Sequence, residues 1–277
     1  MTYLLRLSQS RLLVLLTLSE LTFLVGAQKG YGADSSLLSG SSVATATNKT
    51  LPILFDGFEQ DRLAEFWLPG NYGSGLYVPG AVKLSTNYAR SGRHSAEITV
   101  HEGDVEQAGD AFTRVERAEL DSGHFALRGR EAWYGFSLLV PKGFPVVDTR
   151  LVISSCKQSD VSRPITAQRY RNGKHTLTVE ARGQRKEYQL PAISQGKWID
   201  MIYHLRYSPG KDGLVEVWMD GKQVVTYSGP TAEAKAKDAF YNKIGLYRDR
   251  LKQPMTMYFD NYTVGPDKDA VDPAKLK

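Results

Sequence analysis

Residues 214–227 read LVEVWMDGKQVVTY, and this stretch decides how the whole chain is interpreted. Two runs rich in β-branched and aromatic residues, Leu214–Met219 and Gln223–Tyr227, flank an Asp-Gly pair at positions 220 and 221. An Asp-Gly pair between two such runs is the strongest short-range signal for a β-hairpin, because both residues tolerate the positive φ angles of the turn. The stretch therefore predicts two antiparallel strands joined by a tight turn.

Similar strand signals, separated by turn residues, occupy most of the chain on both sides of this hairpin. In Trp198–Tyr207 the apolar residues Ile199, Met201 and Leu205 share one face, which is the period of a half-buried strand. The best helix candidate, Ala232–Phe240, is short. Further strands are predicted at Ser95–Val100, Arg114–Asp121, Glu131–Val140, Leu151–Gln158, Ile165–Tyr170, His175–Ala181, Lys186–Leu190, Lys243–Tyr247 and Thr256–Val264.

These strands predict an all-β fold, namely a concanavalin-like or lectin-like β-jelly roll of two antiparallel sheets. The inner face of a closed apolar sandwich would not carry Arg117, Lys157, His204 and Lys243. We therefore expect a bent sheet to gather such polar groups in a concave substrate groove.

Length, charge and cysteine content limit the class of protein. The chain has 277 residues, with 35 Lys and Arg against 30 Asp and Glu, and its net charge of +5 suggests an anionic partner without naming one. A single cysteine excludes an intrachain disulfide. Its position, Cys156, is interpreted as a buried small side chain.

We interpret residues 1–27 as a secretory signal peptide. Arg6 and Arg11 precede an apolar stretch, which ends in the small residues of a cleavage site. A transmembrane anchor is the alternative, but Glu20 and the short apolar run disfavour it. The protein is therefore expected to be secreted or periplasmic, without a stable membrane anchor. The remaining predicted boundaries are a flexible linker at 28–50, the β domain at 51–266 and a C-terminal tail at 267–277.

Three polar segments on predicted strands are candidates for a functional site. The first places Arg117 and Glu119 on one face, which is also the pattern of an exposed ion-pair ladder. The second places Ser155 and Lys157 on a common face. In the third, a glycine leaves room either for a ligand or for a packing neighbour. The residues that share a face in this third segment are Tyr241, Lys243, Gly245 and Tyr247.

Together the three segments resemble motifs of the secreted jelly-roll polysaccharide lyases: heparin lyase I, the family 7 alginate lyases and the family 20 glucuronan lyases. Where the alginate lyases carry Arg-(Ser/Thr)-Glu-(Leu/Val)-Arg, this sequence reads RAELD at 117–121. Where they carry Tyr-Phe-Lys-Ala-Gly-(Val/Ile)-Tyr, it reads YNKIGLY at 241–247. Where they carry Gln-(Ile/Val)-His, it reads SCK at 155–157, which differs at both functional positions. Residues 133–137, 198–204 and 217–222 are similar to the heparin-lyase-like branch.

The resemblance implies β-elimination on a 1,4-linked polyuronate, and therefore a polysaccharide lyase. Negative charge that develops at the uronate carboxylate must be stabilised, and Arg117 and Lys157 are suited to this as positive donors. Tyr247 matches the family tyrosine that acts as the acid and, in syn elimination, also as the base. A phenol has a pKa of about 10, which must be lowered for the base role. We expect nearby cations, Lys243 and Arg248 among them, to lower it.

Lys157 stands where the resemblance implies a histidine. In glucuronate and mannuronate H5 and O4 leave from the same side, so one tyrosine can serve as both base and acid, whereas guluronate and iduronate favour a separate base. The lysine therefore favours glucuronan or mannuronate-type alginate, and it is equally the mark of a relative that has lost activity. His204, whose strand face also carries Arg206, is the predicted replacement base; a structural, hydrogen-bonded His204 is the alternative.

The sequence also leads to expectations about cofactors, metals, partners and substrate-binding residues. No cofactor is expected to be required, and the single metal considered is a structural Ca²⁺ in the first and last strands. We expect a monomer that binds an anionic polysaccharide and does not bind nucleic acid. The predicted calcium ligands are Asp56, Glu59 and Asp260, and the predicted substrate-binding residues are Glu119, Ser155, Gln158, Lys243, Tyr241, Arg248 and Arg206.

Two other functions stay open at this point. A glycoside hydrolase on the same fold needs two carboxylates at a set separation, and residues 119–124, ELDSGH, lack the last acid of the β-glucanase signature. A non-catalytic, lectin-like carbohydrate-binding protein would keep the basic face and the aromatic residues. Such a protein would tolerate Tyr247→Phe without loss of function.

Overall fold

The computed structural model describes residues 53–67, 77–105, 114–123 and 131–276. The predicted signal peptide and linker lie outside these ranges. The strands are β1 (Leu54–Asp56), β2 (Val82–Ser85), β3 (Ser95–Val100), β4 (Val115–Asp121), β5 (Glu131–Leu139), β6 (Leu151–Gln158), β7 (Thr166–Arg171), β8 (Lys174–Ala181), β9 (Gln184–Gln189), β10 (Trp198–Arg206), β11 (Leu214–Met219), β12 (Lys222–Ser228), β13 (Phe240–Asp249) and β14 (Met255–Gly265).

These strands form two antiparallel sheets, which confirms the predicted all-β jelly roll. One sheet has eight strands in the order β12-β11-β10-β5-β14-β3-β2, with β1 also paired to β14. The other has six strands in the order β4-β13-β6-β7-β8-β9. Each pairing between neighbouring strands of the described chain is antiparallel.

The hairpin predicted around the Asp-Gly pair connects β11 and β12. Met219 pairs with Lys222, and the two turn residues Asp220 and Gly221 have φ angles of 49° and 77°. Positive φ at both central positions is the backbone of a type I′ turn, whose twist matches that of the strands it joins.

The core lies between the two sheets and is filled by one face of each strand. In β10 the apolar positions Ile199, Met201 and Leu205 belong to the core cluster, as the alternation predicts. On the opposing sheet, Ile244 and Leu246 of β13 are fully buried in the same cluster. Because inward positions are used for packing, the alternate positions of the six-stranded sheet face outward, away from the core.

Several segments differ from their sequence-based interpretation or refine it. The helix predicted at Ala232–Phe240 is wrong, because residues 232–239 form turns and Phe240 begins β13. The predicted C-terminal tail forms two short 3-10 helices, Asp269–Val271 and Pro273–Lys275, and the first of them buries Ala270 and Val271. Among the described residues no helix combines the length and the hydropathy needed to cross a membrane.

Candidate active site

The outward face of the six-stranded sheet carries a groove of about 710 Å³. Its lining holds seven Lys and Arg side chains and two glutamates, so the groove is strongly cationic. The positions come from residues on the outward face of β4, β13, β6, β7, β8 and β9, together with loops beside them. The charged lining residues are Arg117, Glu119, Arg150, Lys157, Arg163, Arg169, Glu180, Arg185 and Lys243, and Tyr247 lies among them.

Tyr247 is held between two guanidinium groups. It pairs directly with Arg117 of β4 in the sheet register, and the Arg117 guanidinium carbon lies 4.7 Å from the centre of the Tyr247 ring. The guanidinium carbon of Arg150 lies 5.1 Å from the same ring. Such cation–π contacts are attractive and fix the orientation of the ring. The predicted association of Tyr247 with Arg117 is thus present, and Arg150 is an additional partner.

Lys157 and Lys243 line the same groove on the neighbouring strands β6 and β13, with Lys157 opposite Tyr241 and Lys243 opposite Ser155. Burial, followed by the charge of the neighbouring Lys243, lowers the pKa of Lys157 from its ordinary value. The side chain of Lys243 is only 7% exposed, and its ammonium nitrogen lies 4.0 Å from Glu119 and 3.9 Å from Asp121. Two lysines are therefore held close together, with carboxylates on β4 limiting their repulsion.

The other predicted groove residues on these strands are placed as the alternation indicates. Ser155 lines the groove opposite Lys243. Tyr241 pairs with Lys157, lies 5.6 Å from the ammonium nitrogen of Lys243 and has a pKa raised by burial. The predicted side of β6 is correct for Cys156 as well, because this residue is fully buried and burial raises the pKa of its thiol to about 12.

Gly245 is required by the sheet rather than by a ligand. Its φ is 135°, and a Cβ atom at this position would lie 2.3 Å from the carbonyl oxygen of Ala118 and 2.8 Å from the Cα of Glu119. Of the two interpretations left open by the sequence, the structure selects the packing neighbour. The close approach of β13 to β4 places Tyr247 opposite Arg117 and Lys243 opposite Asp121.

Four arginines of the groove lie outside the motifs from which we predicted the site. Arg150 precedes β6, Arg163 precedes β7, Arg169 lies within β7 and Arg185 lies in β9. The available signal was alternation, since Arg169 and Arg171 flank the core residue Tyr170. Alternation predicts on which face of a strand a residue lies, but it does not predict which strands lie beside that strand.

His204 does not reach the groove, and its predicted role as a base is corrected. Its strand, β10, belongs to the eight-stranded sheet, and its ring stacks on Trp133 with the ring centres 3.9 Å apart. The two ring nitrogens lie 2.8 Å from Glu216 and 2.5 Å from Glu131. Arg206 lies on the same strand, so its predicted contact with substrate is corrected too. The structural alternative for His204 is the one that the geometry supports.

Arg248 and Gln158 are structural residues as well, which corrects their predicted contact with substrate. Arg248 is fully buried, forms an ion pair with Glu116 at 2.8 Å and donates to the carbonyl oxygens of Leu251 and Gln253. Gln158 bonds to the backbone of Glu233 and Lys237. Each side chain lies on the inward face of its strand, opposite to Tyr247 or Lys157.

The predicted calcium ligands act as hydrogen-bond acceptors for N–H groups. Within the described part of the chain, no group of three or more His, Cys, Asp or Glu side chains is arranged to hold a metal ion. These bonds favour a structural role for the three carboxylates, and the calcium site stays a prediction. The donors are the backbone of Phe58 and Ala64 and the indole of Trp67 for Asp56; the backbone of Arg93 and His94 for Glu59; and that of Arg90, Ser91 and Asn261 for Asp260.

Solved structures with the same fold include two fungal enzymes. The endo-β-1,4-glucuronan lyase of Trichoderma reesei superimposes with a TM-score of 0.64 at 15% identity, over 81% of this chain and 100% of that one. A GH131 β-glucanase catalytic domain from Podospora anserina superimposes with a TM-score of 0.54 at 16% identity, over 79% and 98% of the two chains. Identities this low establish the fold alone.

The family comparison is more specific. Residues 55–263 match the family model described as polysaccharide lyase. No curated protein sequence matches the chain significantly. The matched range covers most of the chain, including β4, β6 and β13, which carry the groove. The chain belongs to the polysaccharide lyase family and is a lyase enzyme.

Proposed function

We propose that the chain cleaves a 1,4-linked polyuronate by β-elimination in the groove of the six-stranded sheet, with glucuronan or mannuronate-type alginate as the favoured substrates. The observation that carries the proposal is Tyr247, held between Arg117 and Arg150 in a groove lined by cations. A polymer with a carboxylate on each sugar is the complementary ligand for such a groove.

The first requirement of the reaction is to acidify C5 of the bound uronate. Removal of its proton moves negative charge toward the carboxylate, and preorganised positive groups stabilise that charge. Arg117 and Lys157 are assigned this role. The side chain of Arg117 is only 11% exposed and is paired with Glu119 at 3.5 Å, so the orientation of its guanidinium is fixed before substrate binds.

The second requirement is a proton transfer at each end of the breaking linkage. The C5–H bond breaks, a C4=C5 double bond forms, and the C4–O4 bond breaks as O4 receives a proton. We assign both transfers to Tyr247: its phenolate takes the C5 proton, and the resulting phenol protonates O4. This requires that H5 and O4 leave from the same side, as they do in glucuronate and mannuronate.

Neither His204 nor a groove carboxylate competes with Tyr247 as the base. His204 lies on the other sheet, and the groove carboxylates Glu119 and Glu180 each form ion pairs with Lys or Arg side chains. The substrate named for the Trichoderma reesei structure is glucuronan, which supports the choice of glucuronan within this class.

The test is to incubate the purified protein with glucuronan, polymannuronate, polyguluronate and a neutral β-glucan. We expect ultraviolet absorbance to rise with glucuronan or polymannuronate, because the new double bond is conjugated with the carboxylate. Absence of a rise with every polyuronate would overturn the proposal. New reducing ends without absorbance would point to hydrolysis, and binding without any cleavage would point to a lectin-like protein.

A further inference from the structure

One arginine of the groove lies in line with the reacting centre across the sheet. Arg117 pairs with Tyr247, Tyr247 pairs with Val152, and Val152 pairs with Arg169. The row therefore runs perpendicular to the strands over β4, β13, β6 and β7. Since neighbouring strands are spaced by about 4.8 Å, the backbone of Arg169 is roughly 10 Å from that of Tyr247.

Arg169 has no carboxylate partner among the described residues. Its Nε donates a long bond of 3.4 Å to the hydroxyl of Thr178. By contrast, Arg150 pairs with Asp249 at 2.5 Å, and Arg185 lies 3.5 Å from Glu180. Arg169 is thus a partly buried cation whose guanidinium is held only by this weak hydrogen bond.

Two further cations converge on the same place. Arg150, Arg169 and Arg185 line both the main groove and an adjoining cavity of about 460 Å³. Burial, then the charges of Arg185 and Arg150, lower the pKa of Arg169 from its ordinary value. An arginine stays protonated in proteins, so this cluster keeps its like charges together at a cost that a bound anion would remove.

We propose that Arg169, together with Arg150 and Arg185, forms a second oxyanion-binding subsite that holds the carboxylate or sulfate of a sugar unit other than the one that reacts. This inference rests on the proposed function for the direction of the polymer along the groove. A planar guanidinium binds either oxyanion through two parallel hydrogen bonds. Val152 lies between the two sites in the row, where it supplies an uncharged floor.

The experiment uses calorimetry in a Tyr247→Phe background, so that substrate is not consumed. The probe is a hexasaccharide of 1,4-linked glucuronate, and a sulfated uronate hexasaccharide forms a second arm. We expect Arg169→Gln to weaken binding of the preferred probe by about tenfold or more, the effect of losing a charged hydrogen bond. A larger loss with the sulfated probe than with the glucuronate probe identifies sulfate as the bound anion, whereas equal losses identify carboxylate, which both probes carry.

The matched control is Arg62→Gln, which removes the same charge from an arginine that is 75% exposed outside the groove. Arg169→Lys retains the charge without the planar fork and should recover part of the affinity. In the background with an intact Tyr247, Arg169→Gln should raise KM by about tenfold and leave kcat within about twofold of wild type. Thermal unfolding verifies that each variant is folded.

The inference is overturned if Arg169→Gln binds both probes as tightly as Arg62→Gln does. That result is separate from a failure of the proposed function, which is measured by the absence of polyuronate cleavage in the wild-type protein. If the wild type cleaves no polyuronate, the sulfated probe still decides the subsite through the same pair of variants.

Discussion

The ammonium nitrogen of Lys243 lies 4.0 Å from Oε2 of Glu119, the same oxygen that lies 3.5 Å from the guanidinium of Arg117. One carboxylate thus neutralises part of the charge of two groove cations on β13 and β4. With side chains only 7% and 8% exposed, Lys243 and Glu119 interact where water screens them little. Glu119 therefore orders Arg117 and Lys243 within the groove.

Replacing Glu119 by glutamine should reduce kcat/KM by about tenfold, because Arg117 and Lys243 lose the charged partner that orients them. The groove would also become more positive, so binding of polyuronate should depend more steeply on salt. Initial rates with glucuronan at several salt concentrations check both expectations. Equal kcat/KM and equal salt dependence in Glu119→Gln and wild type would contradict the assigned role.

Tyr247→Phe should lower kcat by about two to four orders of magnitude, which is the usual contribution of a positioned proton donor or acceptor. The ring and its contacts with Arg117 and Arg150 are retained, so the affinity for polyuronate should change little. Absorbance kinetics give kcat, and calorimetry gives the affinity. A variant that keeps wild-type turnover would exclude Tyr247 from the proton transfers.

The pH dependence of activity should report the ionisation of Lys157. Its pKa is lowered by burial and by Lys243, so its ammonium is charged at low pH and loses the charge at a lower pH than an ordinary lysine. If the charge neutralises the substrate carboxylate, activity should decline as pH rises through this lowered pKa. Lys157→Arg should move the decline to higher pH, since arginine stays protonated. Identical alkaline limbs in the two proteins would remove Lys157 from this role.

Arg248→Ala should destabilise the fold by about 3–5 kcal/mol, because it leaves Glu116 as an unpaired buried carboxylate. The double variant Arg248→Met with Glu116→Leu should recover most of that loss, since both charges are then absent. Denaturant unfolding measures both effects. At denaturant concentrations below the unfolding transition, KM should match that of the wild type. A raised KM in the folded single variant would indicate that Arg248 contributes to substrate binding.

His204→Gln should leave kcat/KM unchanged and lower the melting temperature. The substitution removes the ring that stacks on Trp133 and bonds to Glu216 and Glu131, all on the eight-stranded sheet. Differential scanning calorimetry and the absorbance assay report the two properties separately. A folded variant with strongly reduced turnover would show that this face of the protein takes part in catalysis.

Local pattern was sufficient for much of the fold because strand formation depends on neighbours in sequence. The Asp220–Gly221 turn and the alternation of β10 are both present in the structure. The same alternation places Lys243 and Tyr247 on one face, and it also places Arg248 on the opposite face. Assigning Arg248 to the substrate therefore disagreed with the strand pattern itself.

Sheet membership could not be read from local pattern, because it is decided by contacts between residues far apart in the chain. His204 has the polar, outward position expected of a site residue, but β10 pairs with β5 and β11 rather than with β13. The same limit explains why Arg150, Arg169 and Arg185 were not predicted. Only the order of strands in the six-stranded sheet brings them beside Tyr247.

The register shift between Val152 and Ser154 in β6 determines on which face of the sheet Lys157 lies. Leu151 and Ile153 are buried in the core, and a strand that alternated without interruption would send Lys157 into the core with them. One extra residue in β6 reverses the facing of everything after it. The extra residue thus places Lys157, and not the Cys156 thiol, at the groove surface, so the composition of this surface depends on the number of residues in β6 as well as on their side chains.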